Sequence, residues 1–151
     1  MPQPIPDEYP RVTPYVYIDG AKAAIDFYTS VLGAKERMTM PGPDGRVGHA
    51  ELTLGDSVIM LADEYPDMGV RGPRSVGGTP VAIHVYVEDV DATFDRAIKA
   101  GATTLRSVEN KFYGDRGGEF EDPFGHRWSI ATHIEDLSPE EMQQRMGEMP
   151  G

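Results

Sequence analysis

The feature that most constrains this chain is a pattern written twice. YVYIDGAKAAIDFYTSVLGA, starting at Tyr15, lies over HVYVEDVDATFDRAIKAGA, starting at His84, at an offset of 69 residues that falls to 68 by the glycine. In each copy an apolar run rich in β-branched and aromatic residues ends in a turn signal, and a helical spacing follows that stops at a glycine. Three further strand signals come after each helix. Each half therefore reads strand, helix, strand, strand, strand. A sheet with one helix has only one face covered. Two such units side by side can bend their sheets around a shared cavity. The expected fold class is α+β, two βαβββ modules forming a curved mixed sheet around that cavity.

In the first half, VTPYVYIDG is the first strand. Ala21, Ala24, Ile25, Tyr28, Val31 and Leu32 form the helix face, with Asp19 or Gly20 as the cap and Gly33 as the stop. Residues 35–40 read as a strand and PGPDGR as a loop. HAELTL and SVIMLA flank Gly55-Asp56, a two-residue hairpin signal. The segment 63–79 is rich in Gly and Pro without periodicity, a linker or a lid. In the second half, VAIHVYVED is a strand, and Val90, Phe94, Ala97 and Ile98 share a helix face that stops at Gly101. TTLRSV is a strand, 109–117 a loop, GGEFE a strand, DPFG a turn and HRWSIATH the last strand. The domain plan is an extended arm (1–10), module one (11–62), the linker (63–79), module two (80–134) and a tail (135–151). LSPEEMQQRM in the tail reads as a short helix with Ser138 as N-cap, Pro139 at its first position and Glu141 completing a capping box. Met142 and Met146 form its apolar stripe, suited to packing on a subunit.

Composition narrows the partners. The chain has 151 residues, 39% of them hydrophobic, enough for one domain or two small modules. Its formal net charge is −11 and its pI is about 4.7, with Lys and Arg scattered. Such a surface repels phosphate backbones, so neither nucleic acid nor an anionic membrane is an expected partner. It has no cysteine, which removes disulfides, thiolate metal sites and a cysteine nucleophile. The start, MPQPIPDEYP, lacks the basic and apolar regions of a signal peptide. No window approaches the roughly 18 apolar residues of a membrane span. The expected location is cytoplasmic.

The doubled unit, with AIDFYTSVLGA in the first half and DPFGHRW in the second, resembles the vicinal oxygen chelate superfamily of glyoxalases, fosfomycin-modifying enzymes, extradiol dioxygenases and bleomycin-binding proteins. VTPYVYIDGAKAAIDFY, HAELTLGDSVIMLADE, FYGDR and DPFGHRWSIATH resemble its PhnB-like branch. The resemblance covers about residues 11–134. It implies paired βαβββ modules, often as a homodimer, with the ligand site in the concave sheet. It also implies that metal-using members hold a divalent ion through the first and last strands of each half. Those positions fall here at Thr13, Met60, Ala82 and Ser129. None is His, Glu or Gln. A methionine and an alanine supply no hard donor and two hydroxyls are poor ligands, so the expectation is no metal and no cofactor.

Strand parity selects the other candidates. Thr13, Tyr15 and Tyr17 share one face, as do Ala82, His84 and Tyr86. If Gly55-Asp56 is a two-residue turn, Glu51 lies opposite Met60, and His49 points the same way. Arg127, Ser129, Ala131 and His133 share a face of the last strand, with Trp128 packing beneath. In FYGDR, Tyr113 and Arg116 either close over a ligand, with Arg116 meeting an anion, or serve the loop, with Asp115 and Arg116 paired to each other. The expected ligand-binding set is Tyr15, Tyr17, His49, Glu51, His84, Tyr86, Tyr113, Arg116, Ser129 and His133.

Three functions are compatible with these residues. The first is a metal-independent small-molecule-binding protein of the bleomycin-resistance or glyoxalase-like type. The second is a lyase, isomerase or dioxygenase with a displaced metal on His49, Glu51 and His84, a 2-His-1-carboxylate set. The third is a metal-free enzyme in which His84 or Glu51 takes a proton beside a carbonyl and Arg116 or Tyr113 steadies the oxyanion. Whether the protein is an enzyme stays open. The bland alternatives are a packing ring at His84, a solvated His133, and a His49–Glu51 pair that satisfies buried polar groups.

Overall fold

In the computed structural model the described residues are 2–148. They form two compact units, 2–79 with 123–125, and 80–122 with 126–148. Unit one contains β1 (Tyr15–Ile18), α1 (Ala21–Leu32), β2 (Lys35–Pro41), β3 (Val47–Leu54), β4 (Ser57–Asp63) and a one-turn helix α2 (Pro73–Val76). Unit two contains β5 (Ala82–Tyr86), α3 (Val90–Lys99), β6 (Thr103–Asn110), β7 (Asp115–Glu121), β8 (Arg127–His133) and α4 (Pro139–Gly147). The sheet orders are β1-β4-β3-β2 and β5-β8-β7-β6, each a parallel pair followed by an antiparallel meander. This is the doubled βαβββ arrangement that the repeat implies.

Each sheet has one covered face. In unit one, Val16, Ile18, Leu52 and Leu61 are buried on the side of α1, whose Ala24, Tyr28, Val31 and Leu32 are buried with them. In unit two, Phe120, Trp128 and Ile130 are fully buried beside α3, and Phe94 meets Phe120 edge-on at 6.1 Å. The opposite faces are open. Tyr15, Tyr17 and Tyr86 remain about half exposed there.

The same device starts both major helices. An N-terminal turn leaves backbone N–H groups without helical partners. The Asp63 carboxylate, from the end of β4, accepts from Gly20 N at 3.1 Å, Ala21 N at 2.8 Å and Val47 N at 2.7 Å. In unit two the Thr132 hydroxyl accepts from Val90 N at 2.9 Å and donates to Val87 O at 2.8 Å. Asp63 and Thr132 are themselves 69 residues apart, so the offset reaches the last strands. Asp89 adds an ordinary N-cap to α3 by accepting from Ala92 N. In α1 the cap position is Gly20, in the left-handed region at φ 102°, with no side-chain cap of its own.

Several expected boundaries move. The first strand begins at Tyr15, so Thr13 lies outside it and donates from Oγ1 to Pro10 O. The segment after β4 is pinned to its own unit. Buried Glu64 accepts from Ser75 Oγ and from Gly72 N, and a Cβ on Gly72 would come 2.9 Å from Tyr17 O. The expected loop 109–117 shrinks to 111–114, because β6 runs to Asn110 and β7 starts at Asp115. Gly114, at φ 99°, makes the turn between them. The hairpin at Gly55-Asp56 is as expected, with Leu54 paired to Ser57 and Glu51 to Met60. DPFG forms its turn, with Asp122 N donating to His126 O, and Trp128 Nε1 donates to the Asp122 carboxylate at 2.8 Å. The tail helix is capped by Ser138, which accepts from Glu141 N.

Candidate functional site

The open face of unit one carries a chain of polar contacts. Glu51 is 2% exposed and sits in the middle of β3. It accepts from Tyr9 Oη at 2.9 Å and from His49 Nε2 at 2.9 Å, and Arg37 Nε lies 3.7 Å away. The Arg37 guanidinium also covers the Tyr9 ring at 4.6 Å. His49 Nδ1 meets Tyr15 Oη at 2.8 Å. A carboxylate only accepts, so His49 Nε2 carries a proton, and Nδ1 is the atom that meets the Tyr15 hydroxyl. The order is Tyr15 to His49 to Glu51, with Tyr9 closing the far side. Burial pushes the Glu51 carboxyl up, but the hydrogen bonds from His49 and Tyr9, with the charges of His49 and Arg37, outweigh it and hold Glu51 below its ordinary value. Burial also raises the Tyr15 phenol, so it stays protonated. Tyr17 stacks at a tilt on Tyr15, 5.3 Å between centroids.

The open face of unit two is arranged differently. His84 Nδ1 meets Ser129 Oγ at 2.9 Å, and the His84 ring stands edge-on to Tyr86 at 5.0 Å. Tyr86 Oη donates to Asp115 Oδ2 at 2.7 Å, and His133 Nδ1 meets Asp115 Oδ1 at 2.7 Å. The other ring nitrogen of His133 faces Asp136 at 2.8 Å. Two carboxylates on two ring nitrogens suit the imidazolium. The hydrogen bond to Asp115, then that to Asp136, raises the His133 pKa against a smaller burial effect. Burial raises Asp115, while bonds from His133 and Tyr86 more than reverse this, so its carboxyl lies below the usual range. Beside this cluster lies a pocket of about 140 Å³, whose lining includes His84, Arg106, Lys111, Tyr113, Gly117 and Ser129.

Strand parity thus places Tyr15, Tyr17, His49 and Glu51 on one open face, and His84, Tyr86, Ser129 and His133 on the other. Arg116 departs from both alternatives considered for FYGDR. It sits on β7 with helix-side parity, where Nε and Nη2 hold the Asp91 carboxylate of α3 at 2.9 and 3.0 Å and Nη1 donates to Asn110. Asp115 pairs with Tyr86 and His133, not with Arg116. Glu51 has both oxygens engaged, so it orients His49 and offers no free edge to a substrate.

The four metal positions implied by the resemblance do not suit a divalent ion. Thr13 spends its hydroxyl on Pro10 O and Ser129 Oγ is engaged by His84. Met60 and Ala82 have no hard donor. Among the described residues, no three His, Asp or Glu side chains are grouped so as to hold a metal.

Five participants escaped the sequence reading. Tyr9 lies in the proline-rich arm, where no periodicity marks it. Asp115 hid in an expected loop, although extending the β7–β8 register places it opposite His133. Arg106 and Lys111 were among the scattered Lys and Arg, and Glu119 was read only as part of the strand GGEFE.

Paired βαβββ units with helices on one face of each mixed sheet define an α+β protein of the glyoxalase-like fold. The chain belongs to the Glyoxalase/Bleomycin resistance protein/Dioxygenase superfamily, whose family model matches residues 11–130. It is 44% identical over 140 residues to Uncharacterized protein Mb0911c of Mycobacterium bovis, covering 91% of this chain and 92% of that one. It matches Uncharacterized protein Rv0887c of Mycobacterium tuberculosis at the same identity, covering 82% of that protein. Among solved structures, TioX from Micromonospora sp. ML1 superposes with a TM-score of 0.63 at 25% identity, covering 83% of this chain and 99% of that one. The PhnB protein from Bacillus cereus gives a TM-score of 0.66 at 19% identity, covering 82% and 99%, and so shares the fold. No helix among the described residues is long and apolar enough to cross a membrane.

Proposed function

We propose that this protein is a metal-independent small-molecule-binding member of the superfamily, working as a cytoplasmic homodimer. One observation carries the reading. At the row where metal-using members are implied to place their last ligand, Ser129 is engaged by the His84 ring, beside a ring-lined polar pocket. Exposed rings on the open faces, Tyr15, Tyr17 and Tyr86, suit a ligand held by stacking and a few oriented hydrogen bonds. Elemental analysis of protein purified without chelator tests the metal-independence. No stoichiometric divalent ion is expected, and Ser129→Glu should gain none. Tight zinc or nickel binding by either protein would replace this reading with the displaced-metal one.

The Tyr15–His49–Glu51 chain favours a second reading, a metal-free proton-transfer enzyme. A phenol hydrogen-bonded to an imidazole that a buried carboxylate orients can pass a proton on contact with a substrate. In that reading Tyr15 meets the substrate, His49 holds the transferred proton and Glu51 keeps the tautomer. His84, with Nδ1 engaged by Ser129, is the candidate base on the other unit.

A further inference from the structure

We propose that the unit-two pocket is a carboxylate-binding subsite, with Arg106 and Lys111 meeting the anion and a single ring of the ligand filling the space over Gly117. The inference rests on the small-molecule-binding reading and names the ligand class for it.

Charge is the first argument. The pocket lining holds two cations, Arg106 and Lys111, and one carboxylate, Glu119. Glu119 is already divided, since Arg106 Nε lies at 3.0 Å and Arg127 Nη2 at 3.2 Å. One carboxylate facing two guanidinium groups leaves positive charge over on this face. Lys111 has a partner, Glu109, at 2.9 Å, but Glu109 is 70% exposed and screened by water, while Lys111 is only 22% exposed. A chain of net charge −11 thus keeps a positive spot at the mouth of a pocket. Such a spot selects anions locally against an unfavourable general field.

Size is the second argument. The pocket measures about 140 Å³. A cavity of about 150 Å³ accepts one benzene ring. Gly117 supplies a bare floor, and it must be glycine, because a Cβ there would come 2.8 Å from Ile130 O. The walls are the His84 and Tyr113 rings, with the Ser129 hydroxyl between His84 and the floor. A flat ring with one carboxylate fits this combination. A phosphate dianion suits it less, because Glu119 remains in the lining to repel a second negative charge.

Calorimetric titration with benzoate, benzamide and inorganic phosphate tests the assignment on the full chain. Benzoate should bind, benzamide should bind at least several-fold more weakly, and the double variant Arg106→Gln/Lys111→Gln should weaken benzoate by about tenfold. Lys99→Gln, which removes an exposed cation paired with Asp95 on α3, should leave benzoate binding unchanged. Benzamide binding as well as benzoate, with the double variant silent, would overturn the carboxylate class while the small-molecule reading stood. Tighter binding of phosphate, or no benzoate binding at millimolar concentration, would also overturn it. A stoichiometric metal found by elemental analysis would instead sink the underlying reading.

Discussion

The two units share a frame and fill it in opposite ways. In unit one a row across the sheet runs Tyr15, Met60, Glu51; in unit two the matching row runs His84, Ser129, Glu119. Two residues along β3 stands His49, where β7 has Gly117. Unit one therefore closes its face with rings and buries its glutamate under Tyr9. Unit two leaves a bare floor, and Glu119 stays 21% exposed between two arginines. Toward the helices the units agree: apolar strand positions, a glycine near each helix stop, and a last-strand side chain at each helix start. The duplicated fold is set by the helix-side face, and the open faces are free to carry different chemistry.

The helix-start device gives the largest expected contrast. Asp63 satisfies three backbone N–H groups while 8% exposed, so Asp63→Ala should cost about 3 kcal/mol or more, because buried donors are left unpaired. Thr132→Val removes one cap bond and one donor, and should cost about 1 kcal/mol. Urea unfolding of the two variants measures both. Equal losses would mean that the shared offset does not imply a shared structural role. Glu51→Gln falls between them, at about 1–3 kcal/mol, because it spoils a buried acceptor of two hydrogen bonds.

The histidine–carboxylate pairs sharpen the comparison through pH. His133 has a raised folded value, so its contribution is complete below its unfolded value of about 6.5 and is lost as pH rises through the folded one. Asp115 and Glu51 have depressed values, so theirs are present above about 4 and are lost as pH falls through the folded ones. Unfolding measurements on His133→Gln should therefore show a larger loss at pH 6 than at pH 9, and on Glu51→Gln a larger loss at pH 7 than at pH 3. A ring-proton titration of His133 should report a pKa above 6.5 that drops in Asp136→Asn. A His133 value at or below that of a free imidazole would mean that the Asp115 and Asp136 contacts do not persist in solution.

The repeat made the architecture legible, because burying one face of each sheet forces period 2 in the strands and period 3.6 in the helices. Parity then placed eight of the polar candidates, from Tyr15 to His133, on open faces, and the Gly55-Asp56 turn fixed the register of β3 that carries His49 and Glu51. What stayed hidden depended on long-range partners. Asp63 looked like the first residue of the linker, and only the folded chain puts it at the end of β4 and brings it to Gly20. Tyr9 has no pattern of its own, and Glu51 draws it in. Arg116 looked like an anion receptor because it lay in an expected loop and the earlier start of β7 was invisible. With β7 starting at Asp115, Arg116 becomes a strand residue whose parity turns it to the helix side.

That placement yields the smallest expected effect and separates the two faces of unit two. Arg116 forms a two-point ion pair with Asp91 at 2.9 and 3.0 Å, and both partners are substantially exposed. The pair depresses the Asp91 carboxyl and raises the guanidinium. Exposed pairs add little to stability, because water screens the charges and two long side chains must be held still. Arg116→Gln should therefore leave the unfolding midpoint nearly unchanged. It should also leave benzoate binding unchanged, because the guanidinium lies on the other face of β7 from Gly117 and Glu119. If Arg116→Gln weakens benzoate as much as the Arg106 and Lys111 substitutions do, then Arg116 leaves Asp91 to meet the ligand. The division of unit two into a helix-side structural face and an open ligand face would then fail at this residue.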